Sequence, residues 1–350
     1  MHLESLSTRS FRALPDQRIS LPETGLRLTG DNGSGKTSLL EAIAYLSSGR
    51  SNRGASDHQI ARHGCTSLEV AGRVVRPHGL STSITVRWHS GTKHVDQDGQ
   101  RLPRLSEMIG LLPIVHFDID DLTLVRAGPQ ARRAFIDLTL ATLSRTYLQN
   151  LLDYRSTLKS RNTLLRQRNA THLDIWNLQL ATVGARITQE RAAFLPQLEG
   201  AAQAIYTLIS QSPHTLSLQY RPSFATAAPD GALALLRTKA ERDCSVGYTT
   251  IGPHRDDIAI LLANRPARPF ASLGQAKTIV LALLGAQTEL FSIALGHPPV
   301  VLLDDLWGDL DPQRLARLSA IVPTDAQVVV TDASTARLPE RFLNLHELRF

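Results

Sequence analysis

Cysteine is nearly absent from this 350-residue sequence, which contains Cys65 and Cys244. Two cysteines so far apart exclude a disulfide framework and a zinc site built on cysteine spacing. Such sparse use of cysteine is typical of proteins in a reducing compartment. We therefore expect a cytoplasmic protein.

Long apolar runs are also missing. The sequence has no run of about 18 apolar residues, the length that a membrane-spanning helix needs. Residues 1–6 lack the charged-then-apolar order of a signal peptide. We therefore expect no transmembrane helix and no membrane partner. We also find no internal repeat and no low-complexity segment.

The excess of positive charge is small, at +6 with a sequence pI of about 9.6. It leans towards an acidic polymer as partner, although a solvated surface explains it equally well. Apolar residues make up 42% and charged residues 20%, as in ordinary globular proteins. The length allows two or three domains, and no long disordered stretch is expected.

The pattern of apolar residues divides the sequence into an α/β part and a helical part. Residues 1–112 and 211–350 show strands alternating with helices, and 211–270 read as strands and turns. Residues 113–210 carry apolar residues mostly at helical spacing. A polar stretch at 167–172 predicts two long helices folded back on each other. We expect an α/β domain that is split in sequence, with a helical insertion forming a second domain.

A glycine-rich segment after a short predicted strand matches the phosphate-binding pattern G-x-x-x-x-G-K-[ST]. It consists of Gly30, Asp31, Asn32, Gly33, Ser34, Gly35, Lys36 and Thr37, with Ser38 as a further candidate for nucleotide contact. The glycines let backbone N–H groups turn towards phosphate oxygens, and Lys36 adds a positive charge at the β and γ phosphates. The Thr37 hydroxyl would complete the shell of a Mg²⁺ ion. By itself the motif predicts a nucleoside triphosphate and does not separate a GTPase, a kinase and an ABC-type motor.

Two carboxylates follow a predicted buried strand at 300–303. In a phosphate-loop fold Asp304 would reach the Mg²⁺ ion, and Asp305 could act as the base that orients the attacking water. Adjacent residues of a strand point to opposite sides, so the two carboxylates can serve two roles. Another acidic segment, His116 with Asp118, Asp120 and Asp121, is more typical of a turn than of a metal site.

A second motif lies about 30 residues before Asp304 and consists of Ser272, Leu273, Gly274 and Gln275. A serine hydroxyl and a glycine N–H at a helix start favour anion binding, although an ordinary helix cap has the same pattern. ABC ATPases place their signature motif at this distance. The segment 308–311 resembles their D-loop, which makes Asp311 a candidate residue of the nucleotide site. We therefore predict an ABC-type ATPase.

Four further blocks complete a resemblance to a known family. They are Gly49–Arg53, Gly128–Asp137, Tyr154–Leu165 and the Gly-Pro-His-Arg-Asp-Asp run at 252–257. With the motifs above, the chain resembles the RecF family of bacterial recombination-repair proteins over essentially its whole length. The signature departs from the family pattern at Leu273, where the family usually has arginine.

The resemblance implies a P-loop ABC-ATPase head of the SMC-like type that dimerises around two ATP molecules with Mg²⁺. Ser272 of one subunit would then touch the γ phosphate held by the other. It implies a weak, DNA-stimulated ATPase that binds double-stranded DNA and single-/double-strand junctions. It also implies cooperation with RecR and RecO in loading recombinase at gaps, with roles in DNA replication and the SOS response.

Basic residues mark candidate DNA contacts. Residues 145–168 hold six basic residues against one acidic residue, a net charge of +5. Arg155 and Lys159, like Arg50 after the phosphate-loop helix, have no acidic neighbour at helical spacing. Arg53, four residues before Asp57, lies in the same segment as Arg50. They could contact DNA phosphates, or they could form a solvated face or pair with distant acids. No base-reading motif is present, so binding should be largely independent of sequence.

Two other functional classes remain open. A transporter ATPase subunit would also carry these motifs, but the distance from Lys36 to Ser272 is far longer than in transporter domains. A scaffold with a degenerate nucleotide site is disfavoured by the intact Lys36, Thr37 and Asp304. Nucleotide binding would separate a scaffold from an ATPase, and a membrane partner would support the transporter.

Overall fold

The structure, a computed structural model, describes residues 1–118, 122–168, 172–224, 228–304, 306, 312–332 and 338–350, with the backbone alone for 312–315. The chain forms two compact units. The first consists of Met1–Asp121, Leu208–Gln211 and Leu281–Phe350, and the second of Leu122–Thr207 and Ser212–Val280.

The helices and strands follow in chain order. The first segment of the first unit contains β1 (His2–Arg9), β2 (Gln17–Ser20), β3 (Gly25–Thr29), α1 (Lys36–Ser48), α2 (Asp57–Ile60), β4 (Ser67–Val75), β5 (Ser81–His89), β6 (Thr92–Gln97), β7 (Gln100–Arg101) and β8 (Ile114–Asp118). The next segment contains α3 (Thr123–Arg126), α4 (Pro129–Leu143), α5 (Arg145–Arg166), α6 (Leu173–Ser210), β9 (Leu216–Arg221), α7 (Pro229–Thr238), α8 (Ala240–Val246), β10 (Asp257–Leu262), β11 (Arg265–Pro266), α9 (Ala267–Phe270) and α10 (Leu273–Leu295). The last segment contains β12 (Val300–Asp304), α11 (Pro312–Ile321), β13 (Val328–Asp332), α12 (Glu340–Leu343) and β14 (His346–Arg349).

A parallel sheet in the first unit brings distant parts of the sequence to one edge. Its strand order is β14-β3-β13-β12-β8. Thr29 pairs with Asp332, and Asp304 pairs with Asp118, so the carboxyl ends of these strands meet at the same edge. The apolar residues of β12 are buried without alternation, as expected for a parallel strand that is covered on both faces.

An antiparallel sheet completes the first unit, with strand order β2-β1-β4-β5-β6-β7. Alternate residues of β5, such as Ile84 and Val86, are fully buried, which fits a sheet with one covered face. Helix α1 packs against strands of both sheets, and its Leu39, Leu40 and Ile43 belong to the same apolar core. The core therefore fixes the direction of α1, and with it the position of the loop that precedes α1.

The second unit consists of several helices and a small antiparallel sheet. Helix α4 packs against α5 and β10, α5 packs against α8, and β9 to β11 form an antiparallel sheet of order β11-β10-β9. Helices α5 and α6 are the two long helices expected from the apolar stripes. The expectation of strands and turns over 211–270 is wrong for α7 and α8. Pro229 at the first turn of α7 is a helix-start signal that the strand pattern around it obscured.

The extent of the second unit also differs from the expected helical insertion at 113–210. The segment 212–280 groups with the helices because β10 packs on α4, and because α8 packs on α5. Sequence periodicity reports the local conformation of a segment. It does not report which distant segment will cover that segment.

Helix α10 was not expected to have the character of a membrane span. By length and composition alone it could cross a membrane, and it is the one such helix in the described part of the chain. Its most apolar stretch is 67% buried inside the protein, as is usual for the core helix of a globular protein. The helix begins in the second unit and ends in the first.

Candidate functional site

The predicted phosphate loop connects β3 to α1 at the carboxyl edge of the parallel sheet. Gly30, Gly33 and Gly35 all have positive φ angles, of 141°, 83° and 116°. A side chain at Gly30 would also be impossible, because its Cβ would lie 2.7 Å from the carbonyl oxygen of Phe350. The glycines of the motif therefore serve a tight backbone turn, as the pattern predicts.

Lys36 does not project into solvent in this structure. The residue is 8% exposed, and its Nζ donates to the carbonyl oxygens of Gly30 at 2.6 Å and of Asp31 at 2.8 Å. These two bonds hold the loop in its curved form. The ammonium group is thus already inside the concave loop in which a phosphate chain would lie.

Asp304 lies next to the start of α1. Its Oδ1 accepts hydrogen bonds from Thr37 Oγ1 at 3.2 Å and from Thr331 Oγ1 at 3.0 Å. Burial raises the pKa of the Asp304 carboxyl, whereas the His116 charge and the two hydroxyl bonds act to lower it. The pair Thr37 and Asp304 is a hydroxyl and a carboxylate oxygen side by side, the donor types that Mg²⁺ prefers.

Several predicted residues lie outside the described residues. They are Asp305, Asp311 and the two acidic residues Asp120 and Asp121. Asp31, Asn32, Ser34 and Ser38 lie in the phosphate loop or at the start of α1. In the described part of the chain, no group of three or more His, Cys, Asp and Glu could hold a metal ion.

The loop after α1 presents Arg50 and Arg53, which are both exposed. Glu41, a fully buried carboxylate of α1, accepts a hydrogen bond from the hydroxyl of Ser51 in this loop. Arg12 donates two hydrogen bonds to the same carboxylate, at 2.8 and 2.9 Å. The loop is therefore fixed to the helix that begins at the phosphate loop.

A second contact ties this loop to the parallel sheet. Asn52 Nδ2 lies 2.9 Å from Nδ1 of His116, a residue of β8. His116 pairs in register with Leu302 of β12, the strand that carries Asp304. The loop that presents Arg53 is thus bonded directly to a strand of the sheet edge where Asp304 lies.

The predicted signature segment forms a capping box at the start of α10. Gln275 N donates to Ser272 Oγ at 3.2 Å, and Ser272 N donates to Gln275 Oε1 at 2.8 Å. Ser272 and Leu273 are exposed, whereas Gly274 and Gln275 are half-buried. The amino end of a 23-residue helix, which carries partial positive charge, is therefore open to an anion.

The basic residues of α5 have different environments. Arg161 is fully buried and donates to Asp243 at 2.7 Å, so it cannot contribute to a surface charge. Arg155 is exposed, and its guanidinium lies 3.8 Å from Asp137. Lys159 is exposed on the same helix. Arg155 therefore pairs with an acid that is distant in sequence, which is one of the alternatives that the sequence left open.

Comparison with known proteins decides the family. The model of an AAA domain matches residues 5–168. The DNA replication and repair protein RecF of a Synechococcus species is 36% identical over 346 residues, which cover 95% of this chain and 91% of that protein. RecF of Myxococcus xanthus is 34% identical, over 96% of this chain and 92% of its own length.

The chain belongs to the RecF family. Solved structures agree with this assignment: that of the recombination mediator protein RecF with ATP, from the RecFOR pathway, is 28% identical with a TM-score of 0.89. The match covers 96% of this chain and 93% of that one. The Smc head domain of Pyrococcus furiosus, 15% identical with a TM-score of 0.57 and covering 99% and 93% of the two chains, shares the fold alone.

Membership of the RecF family confirms the predicted fold, an ABC-type ATPase head of the SMC-like type. It also favours a DNA replication and repair protein over the transporter subunit and the scaffold that the sequence left open. Tyr147 of α5 and Leu180 and Ile187 of α6 are fully buried, so these apolar residues have a structural role.

Sequence reasoning missed a buried ionic network in the second unit. Arg191 is almost fully buried and donates to Asp137 at 2.7 Å and to Asp256 at 2.8 Å. Tyr147 donates to Asp137, and Tyr220 donates to Asp256. Two of the blocks that carry the RecF resemblance supply these acids, one ending at Asp137 and the other containing Asp256. Their shared partner could not be found from spacing, because Arg191 lies in an otherwise unremarked part of α6.

Proposed function

We propose that the chain is an ATP-dependent DNA-binding protein of recombinational repair and replication restart. The observation that carries this proposal is the hydrogen bond between Thr37 and Asp304 beside a phosphate loop whose lysine already points inward. Residues 30–38 would bind the phosphates of ATP, with Lys36 on the β and γ phosphates. Thr37 and Asp304 would hold the Mg²⁺ ion.

Hydrolysis would be slow and would act as a switch. Asp305 is the proposed base that orients water, next in sequence to Asp304. A raised pKa at Asp304, caused by burial, would fall once a divalent cation lies beside the carboxylate.

The switch would be dimerisation on ATP. Ser272, Gly274 and Gln275 at the start of α10 would contact the γ phosphate of ATP bound to a second subunit, and Asp311 would complete that site. The exposed Ser272 and the helix end support this role, because both can face an anion without rearrangement of the core.

Duplex DNA near single-strand gaps is the proposed substrate of the dimer. Arg50 and Arg53 would contact phosphates, and so would Lys159 and Arg155 of the second unit. Partners of the chain would be RecR and RecO, and the outcome would be loading of recombinase in the cytoplasm. The resemblance to the family and the exposure of these side chains support this assignment.

The oligomeric state with duplex DNA, with and without ATP, tests the proposal. We expect a monomer without nucleotide and a DNA-bound dimer with ATP and Mg²⁺, measured by sedimentation velocity. Lys36→Ala should stay monomeric because it no longer binds ATP. The loss of two loop hydrogen bonds should lower its stability only slightly. A parent protein that remains monomeric on DNA at saturating ATP would contradict the proposed switch.

A further inference from the structure

Arg126 of α3 forms hydrogen bonds with the backbone of the segment that leads into Ser272. Arg126 Nη1 donates to the carbonyl oxygen of Arg268 at 2.7 Å, and Nη2 donates to the carbonyl oxygen of Ala271 at 2.5 Å. Both acceptors lie in or next to α9, the four-residue helix that ends one residue before Ala271. Carbonyl groups at a helix end have no partner within the helix, and the planar guanidinium fork satisfies two of them at once.

These bonds fix one side of Ser272. The other side is fixed by the capping box with Gln275, which joins Ser272 to the long and largely buried helix α10. Bonds from a charged donor are about twice as strong as bonds between neutral groups. Hydrogen bonds therefore hold the backbone on both sides of the exposed Ser272.

Two exposed apolar residues lie close to Ser272 in sequence, Phe270 two positions before it and Leu273 directly after it. Phe270 is 56% exposed and Leu273 is 58% exposed. Arg265 lies over the ring of Phe270, with 4.1 Å from its guanidinium carbon to the ring centroid. An exposed serine between two exposed apolar side chains, on a backbone held from both sides, fits a surface that closes on another protein surface.

We propose that Arg126 is a positioning residue that holds Ser272 in the place from which it meets the nucleotide of a second copy of this chain. The proposal rests on the ATP-dependent dimer of the proposed function and adds the residue that sets its geometry. Arg126 contacts backbone alone in these two bonds, so it acts through the segment 268–272. The ATP molecule bound in the phosphate loop of the same chain does not depend on it.

The variant Arg126→Met tests the proposal, because it removes both donors and keeps an unbranched side chain of similar reach to the aliphatic part of arginine. We expect ATP affinity of the monomer to stay within about twofold of the parent, whereas ATP-dependent dimerisation weakens by about tenfold or more. We also expect faster amide hydrogen exchange at 267–275 without nucleotide. Arg126→Lys keeps one donor and should recover part of the dimerisation.

The matched control is Arg268→Ala. It removes an exposed arginine from the same segment but keeps the carbonyl group that Arg126 binds, so dimerisation and hydrogen exchange should match the parent. Equal loss in both variants would show an effect of charge and overturn the positioning role.

Ser272→Arg separates this proposal from the proposed function. If Ser272→Arg blocks dimerisation and Arg126→Met dimerises like the parent, the positioning role is wrong and the dimer stands. If Ser272→Arg dimerises normally, the signature does not lie in the interface and both proposals fall. Loss of ATP binding by the Arg126→Met monomer would also overturn the positioning role.

Discussion

At the scale of single residues, His254 shows how burial sets a protonation state. Its Nδ1 lies 2.7 Å from the Tyr154 hydroxyl, and its Nε2 lies 3.1 Å from the carbonyl oxygen of Thr249. The carbonyl oxygen can only accept, so Nε2 carries the proton and Nδ1 accepts from Tyr154. Burial lowers the pKa of His254 to about 4, and the charges of Arg255 and Arg133 act in the same direction.

The lowered pKa makes stability depend on pH. Between pH 6.5 and about 4 the unfolded chain binds the proton of His254 and the folded chain does not, so stability falls as the pH falls. We expect His254 to contribute a loss of about 3 kcal/mol across this window. His254→Gln keeps a donor and an acceptor and should flatten the dependence. The free energy of unfolding, measured with denaturant at pH 7 and at pH 4.5 in both proteins, gives this pH dependence.

His63→Gln is the matched control for this prediction. His63 is exposed, so its replacement should leave the pH dependence of the free energy of unfolding unchanged. A dependence that is the same in His254→Gln and in the parent would mean that His254 titrates normally in the folded protein.

At the scale of elements, the loop after α1 carries the sharpest prediction about DNA. Each phosphate neutralised contributes about 0.9 to the slope of log affinity against log salt concentration. Replacing Arg50 and Arg53 by alanine should weaken duplex binding similarly for unrelated sequences and flatten this slope by about one to two units. ATP affinity should not change, because neither residue lies in the phosphate loop. The salt dependence of DNA affinity at saturating ATP measures the slope.

A double variant of equal charge loss controls for net charge. Arg221→Ala with Arg242→Ala removes two exposed arginines of the second unit, and its slope should remain that of the parent. Identical slopes in parent and Arg50/Arg53 variant would remove the loop from the DNA surface and leave Lys159 and Arg155 of α5 as the candidates.

The elements also show which features the sequence can predict. The strand β12, the phosphate loop and the stripes of α5 and α6 were all predictable, because periodicity and glycine placement are local properties. The helices α7 and α8 were missed, and so was the burial of Arg161. A charged residue on a helix looks exposed in sequence until its partner, here Asp243 some 80 residues later, is known.

The candidate site, like the fold, was predictable from the sequence only in part. Thr37 and Asp304 are 267 residues apart, yet their motifs assigned both to one Mg²⁺ ion, and a hydrogen bond joins them. The roles of Arg126, Glu41 and Arg191 could not be predicted. Arg126 binds backbone carbonyl groups, Glu41 accepts from Arg12 and Ser51, and Arg191 joins two carboxylates that lie far from it in sequence. Contacts of these kinds leave no spacing pattern in the sequence.

At the scale of the whole molecule, the proposed cycle of dimerisation and release depends on hydrolysis. Asp305→Asn should slow ATP turnover while ATP binding is preserved, because an amide of the same shape cannot accept a proton from water. The ATP-bound dimer should then persist longer on duplex DNA. Steady-state phosphate release and the dissociation rate of the dimer from DNA measure the two effects.

Asp325→Asn makes the same chemical change before β13, at the opposite end of that strand from Asp332. It should leave turnover and dimer lifetime unchanged. Unchanged turnover in Asp305→Asn would instead place the base at another residue.

The order of strands in the parallel sheet has a consequence for how the protein is made. Strand β3, which leads into the phosphate loop, lies between β13 and β14, whose residues follow about 300 positions later in the chain. The antiparallel strands β4 to β7, in contrast, pair with near neighbours in sequence and can form early. On the ribosome the strand that leads into the phosphate loop therefore lacks both of its neighbours until β13 and β14 have been synthesised. We expect the loop to become a stable nucleotide site only after that point.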